Sequence, residues 1–168
     1  MAYIKSLNGS ENLGISTGGE SATSSLSVTK LSSFFIEPNT FTTGDYISFG
    51  GMFGRGGINN TVTAYLYLST GDTLTGAIQV GLRSITTAQS FFYLSRRLYI
   101  TNNTGGGSGN NVGTQLIITS SGFIDDYRTS LTSDIAVDWT SDIYFITAGG
   151  VANAADIITS YGLKVFKY

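Results

Sequence analysis

Residues 61–68, Thr-Val-Thr-Ala-Tyr-Leu-Tyr-Leu, alternate without a break. A period of two belongs to a strand and is incompatible with the face of a helix. In a strand, Val62, Ala64, Leu66 and Leu68 form a core face, and Thr61, Thr63, Tyr65 and Tyr67 form the opposite one. Comparable runs recur from residue 25 onward: SLSVTKL, SFFIEPNTF, DYISFGGMFG, GAIQVGLRSIT, SFFYLSRRLYIT, TQLIITS, DIAVDWTSDIYFITAGG and SYGLKVFKY. Val, Ile, Thr, Tyr and Phe dominate them, and they return at roughly the 8–12-residue spacing of a sandwich or barrel. Between them lie loops of Gly, Asn, Asp and Ser, such as STGDTLTG and TNNTGGGSGNN. An all-β domain over 25–168 is therefore expected. The run SFFYLSRRLYIT is nearly continuous, which predicts burial on both faces for part of its length. GGVANAADIIT has room for one helical turn, and the only proline, Pro38, is expected to mark an edge strand or a bulge.

A chain of 168 residues is long enough for one domain with its own core. Its surface has to be unusual, because only 12% of residues are charged while there are 22 Gly, 10 Tyr and 10 Phe. A skin of Ser, Thr, Asn and Gly points to a protein held in an assembly, since charge is what usually keeps monomers apart. Tyr65 and Tyr67, aromatic area that a monomer would expose, are the candidate subunit interface. Residues 1–24 carry too few apolar groups to fold alone. They read as an extended arm that orders on another surface, with Tyr3, Ile4, Leu7, Leu13 and Ile15 as candidate attachment residues, or as a frayed terminus.

Several function classes lack their essential residues. The net charge is −2 and only Arg96 and Arg97 adjoin among the basic residues, so no footprint for nucleic acid is expected. There is no Cys and no His, hence no thiolate site, no histidine base and no usual zinc ligand. No apolar h-region opens the chain and no run reaches a membrane span, so a soluble protein without an ordinary secretion signal and without a membrane partner is expected. The stretch GGMFGRGGINN (50–60) has the glycines of a phosphate cradle but neither the Lys-Ser/Thr nor the following helix. Glycines in strands mark bulges, bends and close backbone contacts, and a bend is the reading adopted.

Carboxylates supply the remaining candidates for chemistry. Asp125, Asp126, Asp134, Asp138, Asp142 and Asp156 offer pairs for glycoside hydrolysis or oxygen ligands for calcium. FIDDYRTS and TSDIAVDWTSD instead read as turns and strand ends, where Asp bonds to its own backbone. Neither an EF-hand spacing nor a Gly-x-Ser-x-Gly elbow occurs, so no catalytic residue, cofactor or metal is expected. Asn59, Asn102 and Asn8 begin formal glycosylation sequons of the kind that chance supplies in such a chain. Trp139 is expected in the core; stacking on a sugar ring is the alternative.

Four segments resemble the jelly-roll virion proteins of tailed bacteriophages, which occur as head fibres, capsid decoration proteins and tail-fibre or spike tips. GDYISFGGMFGR (44–55) is similar to a glycine-kinked early strand, and NTVTAYLYLSTGDTLTGA (60–77) to the hairpin after it. FFYLSRRLYIT (91–101) resembles an aromatic central strand with a basic pair, and residues 137–168 resemble the closing strand pair. The resemblance covers about residues 30–168 and implies a jelly roll of about eight antiparallel strands. It further implies a homotrimer in the virion, bound to capsid or tail proteins through the N-terminal arm, and no enzyme activity. The alternative is a tip domain that binds a receptor or host glycan, with Asn102, Asn103, Asn110 and Asn111 on the ligand-facing loop. A fibre tip usually follows a long shaft. With 24 residues before the fold, a short appendage is expected if nothing precedes Met1.

Overall fold

The computed structural model describes residues 4–5, 11–16, 21–58, 61–86, 90–100, 114–117 and 132–168. All paired segments are antiparallel strands, and the described residues contain no helix. The strands are β1 (Ile4–Lys5), β2 (Glu11–Ser16), β3 (Ser21–Thr23), β4 (Thr29–Ile36), β5 (Tyr46–Gly56), β6 (Val62–Ser69), β7 (Ile78–Ile85), β8 (Phe91–Ile100), β9 (Thr114–Ile117), β10 (Thr132–Ile135), β11 (Ile143–Val151) and β12 (Ile157–Lys167). Seven of them, β4 to β8 with β11 and β12, run eight residues or more. The all-β class is present, with more paired segments than the eight expected, because short strands extend the ends of one sheet.

The larger sheet runs β1-β2-β12-β5-β8-β9-β10, with β3 also pairing β12, and the smaller runs β4-β11-β6-β7. Within the expected arm, Glu11–Ser16 and Ser21–Thr23 both pair with β12, on the side away from β5. Alternation decides which side chains enter the space between the sheets. Val62, Ala64, Leu66 and Leu68 on β6 face Ile47, Phe49 and Phe53 of β5 and Leu94, Leu98 and Ile100 of β8 in one continuous core. An aromatic cluster anchors one end of it. Phe145 on β11 packs edge-on to Phe49 (4.8 Å between centroids) and to Phe41 (6.2 Å), and Phe41 packs edge-on to Trp139 (5.1 Å). Trp139 therefore belongs to the core. Half-buried Ser32 bonds the buried Thr147 hydroxyl at 2.6 Å, and Thr147 bonds the buried Ser160 at 3.2 Å, linking β4, β11 and β12.

Three local expectations are corrected and a fourth is narrowed. Pro38 lies in a turn just past β4, not in a strand: Thr40 N–H donates to the Glu37 carbonyl (3.3 Å) and Asn39 takes a φ of 61°, as position i+2 of a type II turn requires. GGVANAADIIT is strand, turn and strand, because Asn153 captures the Ala155 N–H with its side chain and the Asp156 N–H with its carbonyl. β8 is buried on one face only, with Phe92, Leu94, Leu98 and Ile100 inside and Phe91 and Tyr93 in solvent. Its continuous apolar run records two different surfaces, not two covered ones. The glycine-rich stretch bends only at its end, at Gly57 and Ile58, where Gly57 takes a φ of +102°. β5 stays in unbroken register with β8 from Tyr46 to Gly54, and the irregularity sits across from it in β12, between Ser160 and Leu163.

Candidate functional site

What the glycines of β5 permit is close approach. Gly50 and Gly54 point to the outer face of the larger sheet. A Cβ at Gly54 would lie 2.5 Å from the Tyr161 ring, and one at Gly50 2.6 Å from the Leu94 carbonyl and 2.8 Å from the Tyr93 hydroxyl. Rings from β12 and β8 thus lie down on bare backbone in the middle of the sheet. Cross-strand pairing fills in the rest of this face. Met52 opposes Tyr93, Gly54 opposes Phe91, and Phe91 meets Tyr161 at 5.6 Å between centroids. Met52, Phe91, Tyr93, Ile157 and Tyr161 each leave 42–61% of their surface exposed. They form a neutral apolar half.

Toward the other end of the same face the chemistry changes. Tyr46 opposes Tyr99, with ring centroids 4.6 Å apart, and Ser48 opposes Arg97. Tyr168 N–H donates to the Tyr46 carbonyl (2.9 Å), which ties the last residue to the start of β5. Tyr46, Ile47, Arg97 and Tyr168 line a groove of about 260 Å³. Strand alternation divides the basic pair. Arg96 turns inward and is buried, donating Nε–H to the Val80 carbonyl (3.1 Å) and Nη1–H to the Ser95 carbonyl (2.7 Å), where it closes the gap between β7 and β8. Arg97 turns outward into the groove. Burial lifts the Tyr93 phenol above its usual pKa, and the neighbouring Tyr168 adds to the shift.

Tyr65 and Tyr67 lie on the outer face of the smaller sheet, half-buried, with their rings stacked 6.0 Å apart. The chain itself covers part of that face. Asp72, in the loop after β6, reaches over β11 to pair with Lys30 of β4 at 2.7 Å. Ile146, which opposes both Tyr67 and Ser33, is fully buried beneath. Burial, and secondarily Tyr65, raises the Tyr67 phenol pKa, while hydrogen bonds from Lys30 and Ser33 lower that of Asp72.

Of the candidate attachment residues, Ile4 lies in β1 and Leu13 and Ile15 lie in β2, whereas Tyr3 and Leu7 lie outside the described residues. Asn102, Asn103, Asn110, Asn111, Asp125 and Asp126 also lie outside them. Asp138 holds a turn: it accepts from Thr140 N–H (3.0 Å), Thr140 Oγ1 (2.6 Å) and Ser141 Oγ (3.1 Å), and these bonds, those from Thr140 first, lower its pKa. Asp142 is exposed and Asp156 is fully buried behind Gly57. Among the described residues no three carboxylates converge on a point where a metal could sit. The aromatic outer face of the larger sheet, and Arg97 within it, went unassigned at the sequence level. The available signal was the apolar character of both faces of FFYLSRRLY combined with Gly50, Gly54 and Gly56 on one face of β5.

Comparison with known protein families and with curated proteins returns no match.

Proposed function

We propose that this is a virion structural protein of a tailed bacteriophage, a jelly roll that works by binding and assembles as a homotrimer through the apolar half of its larger sheet. The observation that carries the reading is the neutral patch of Met52, Phe91, Tyr93, Ile157 and Tyr161. At roughly 200 Å² per large side chain, half of it exposed, the five offer on the order of 500 Å². That is more than half of the ~800 Å² each partner contributes to a standard interface. A second copy is the fitting occupant because the patch carries no charge to repel its own image.

The strand order supports the jelly roll. Counting β2 and β3 as one strand and setting aside β1 and the β9–β10 hairpin, eight strands lie first–eighth–third–sixth and second–seventh–fourth–fifth. Such an order arises when one long antiparallel hairpin wraps around a core. The virion location is proposed from the four segments that resemble phage virion proteins. Residues 1–24 are the proposed contact with capsid or tail proteins; β1 and β2 end the larger sheet, where open backbone groups accept strand addition.

Light scattering at micromolar concentration is expected to give three times 17.8 kDa. The double variant Phe91→Lys, Tyr161→Lys is expected to give 17.8 kDa with its folded circular dichroism retained. A wild-type monomer, or a variant that still assembles, would remove this interface. The genes flanking this one are expected to encode capsid or tail proteins; a purely metabolic neighbourhood would argue against the virion part.

A further inference from the structure

The groove at the polar end of the larger sheet has the makings of a ligand site, and it adjoins the proposed interface where Tyr168 neighbours Tyr93. Other cations in the described fold are engaged by the chain: Lys30 by Asp72, Lys167 by Asp45 at 2.7 Å, and Arg96 by two carbonyls. Among the described residues no hydrogen bond or ion pair engages Arg97. The strands that build its surroundings are β5 (YISFGGMFGRG), β8 (FFYLSRRLYI), β12 (IITSYGLKVFK) and β9 (TQLI), which pairs Ile117 with Arg97, and none contains an acidic residue. The nearest acid on a strand of this side of the sheet is Asp134 of β10, two strands from β8. Lys164 of β12 adds a second exposed cation to the same face. In a chain of net charge −2, this face is set for an anion.

Three features narrow the anion. A guanidinium offers a planar fork of donors that matches one carboxylate. β5, the floor, is paired on both sides, to β8 and β12, so its backbone amides are spent and cannot build the nest a phosphate prefers. Around Arg97 the walls are tyrosines: Tyr46, whose ring packs against Tyr99, and Tyr168. Such rings present flat apolar faces to C–H groups and hydroxyls to polar ones. A carboxylate attached to a ring with C–H faces and hydroxyl edges answers all three.

We propose that the groove of Tyr46, Arg97 and Tyr168 binds a carboxylate-bearing sugar residue of a glycan, with Arg97 on the carboxylate and the tyrosines against the sugar ring. Each copy carries its own groove, so the site does not rest on the oligomeric state. A volume of about 260 Å³ is small beside the ~300–1,000 Å³ of drug-sized pockets, so a single residue fits and affinity per copy is weak.

Ligand-observed saturation-transfer NMR tests this with methyl β-glucuronide, methyl β-glucoside and acetate as separate probes on the full chain. The glucuronide is expected to bind with Kd of about 1–10 mM, and the glucoside and acetate at least tenfold more weakly. Arg97→Gln is expected to lose tenfold or more for the glucuronide while its thermal transition stays in place, because Arg97 faces solvent. Arg97→Lys keeps the charge but not the fork and is expected to fall between. Acetate matching the glucuronide would reduce the site to a bare cation and overturn the sugar assignment. No saturation transfer at 20 mM (about twice the weakest expected Kd), or binding unchanged in Arg97→Gln, would overturn the site itself.

Discussion

Phe145→Ala is expected to lower the stability of the fold by about 3–5 kcal/mol, read as a fall in the thermal midpoint of roughly 6–20 °C. Phe145 has no exposed surface and touches three other rings, those of Phe49, Phe41 and Trp139. Phe49 belongs to the larger sheet and Phe145 to the smaller, so this ring is a direct tie between the layers. Its partners are themselves buried aromatic side chains on strands or beside them, and rigid rings do not collapse into the space a lost benzyl group leaves. The cost is therefore expected near the upper end for a cavity of that size. With total stabilities of only ~5–15 kcal/mol for a domain, such a loss is a large share. A fall of only a degree or two would mean the two sheets are not held together at this point.

Gly57→Ala is expected to cost about 2–5 kcal/mol, well beyond the ~1 kcal/mol expected for Gly76→Ala. Both glycines have a positive φ, +102° at Gly57 and +73° at Gly76, where an L side chain is strained. Only Gly57 is also crowded. A Cβ there would stand 2.4 Å from the Ala155 carbonyl oxygen and 2.5 Å from the Asp156 Cα, both backbone atoms of the turn before β12. Nothing stands within 4 Å of one at Gly76. The pair thus separates backbone strain, common to both, from displacement of the β11–β12 turn, specific to Gly57. Urea denaturation of the two variants under one condition measures the difference. Equal losses would show that the turn gives way freely and that Gly57 is needed only for its φ.

Much of the interior was legible because it is written locally. The alternation in residues 61–68 names the core face of β6; on β8 the nearly unbroken apolar run hid the same period, and only the structure sorts Phe92, Leu94, Leu98 and Ile100 from Phe91, Tyr93, Arg97 and Tyr99. Asp138 in a turn followed from the preference of Asp for bonding its own backbone, and Thr140 and Ser141 are the groups it holds. Pro38 misled because proline is compatible with several kinds of chain reversal, and the positive φ of Asn39 that selects a type II turn leaves no mark that separates it from a bulge.

The sequence by itself determined the fold class of the protein: period-two runs with turn chemistry between them commit the chain to β structure. The tertiary structure alone decided the neighbours. Arg97 and Tyr168 are 71 positions apart in the chain, yet they line one groove with Tyr46 because β12 and β8 flank β5. Likewise Gly54 is bare because Tyr161, from the far end of the chain, lies on it. Side-chain alternation is a property of one strand and can be read along it. Pairing is settled by the free energy of enclosing a shared core, which no short stretch contains.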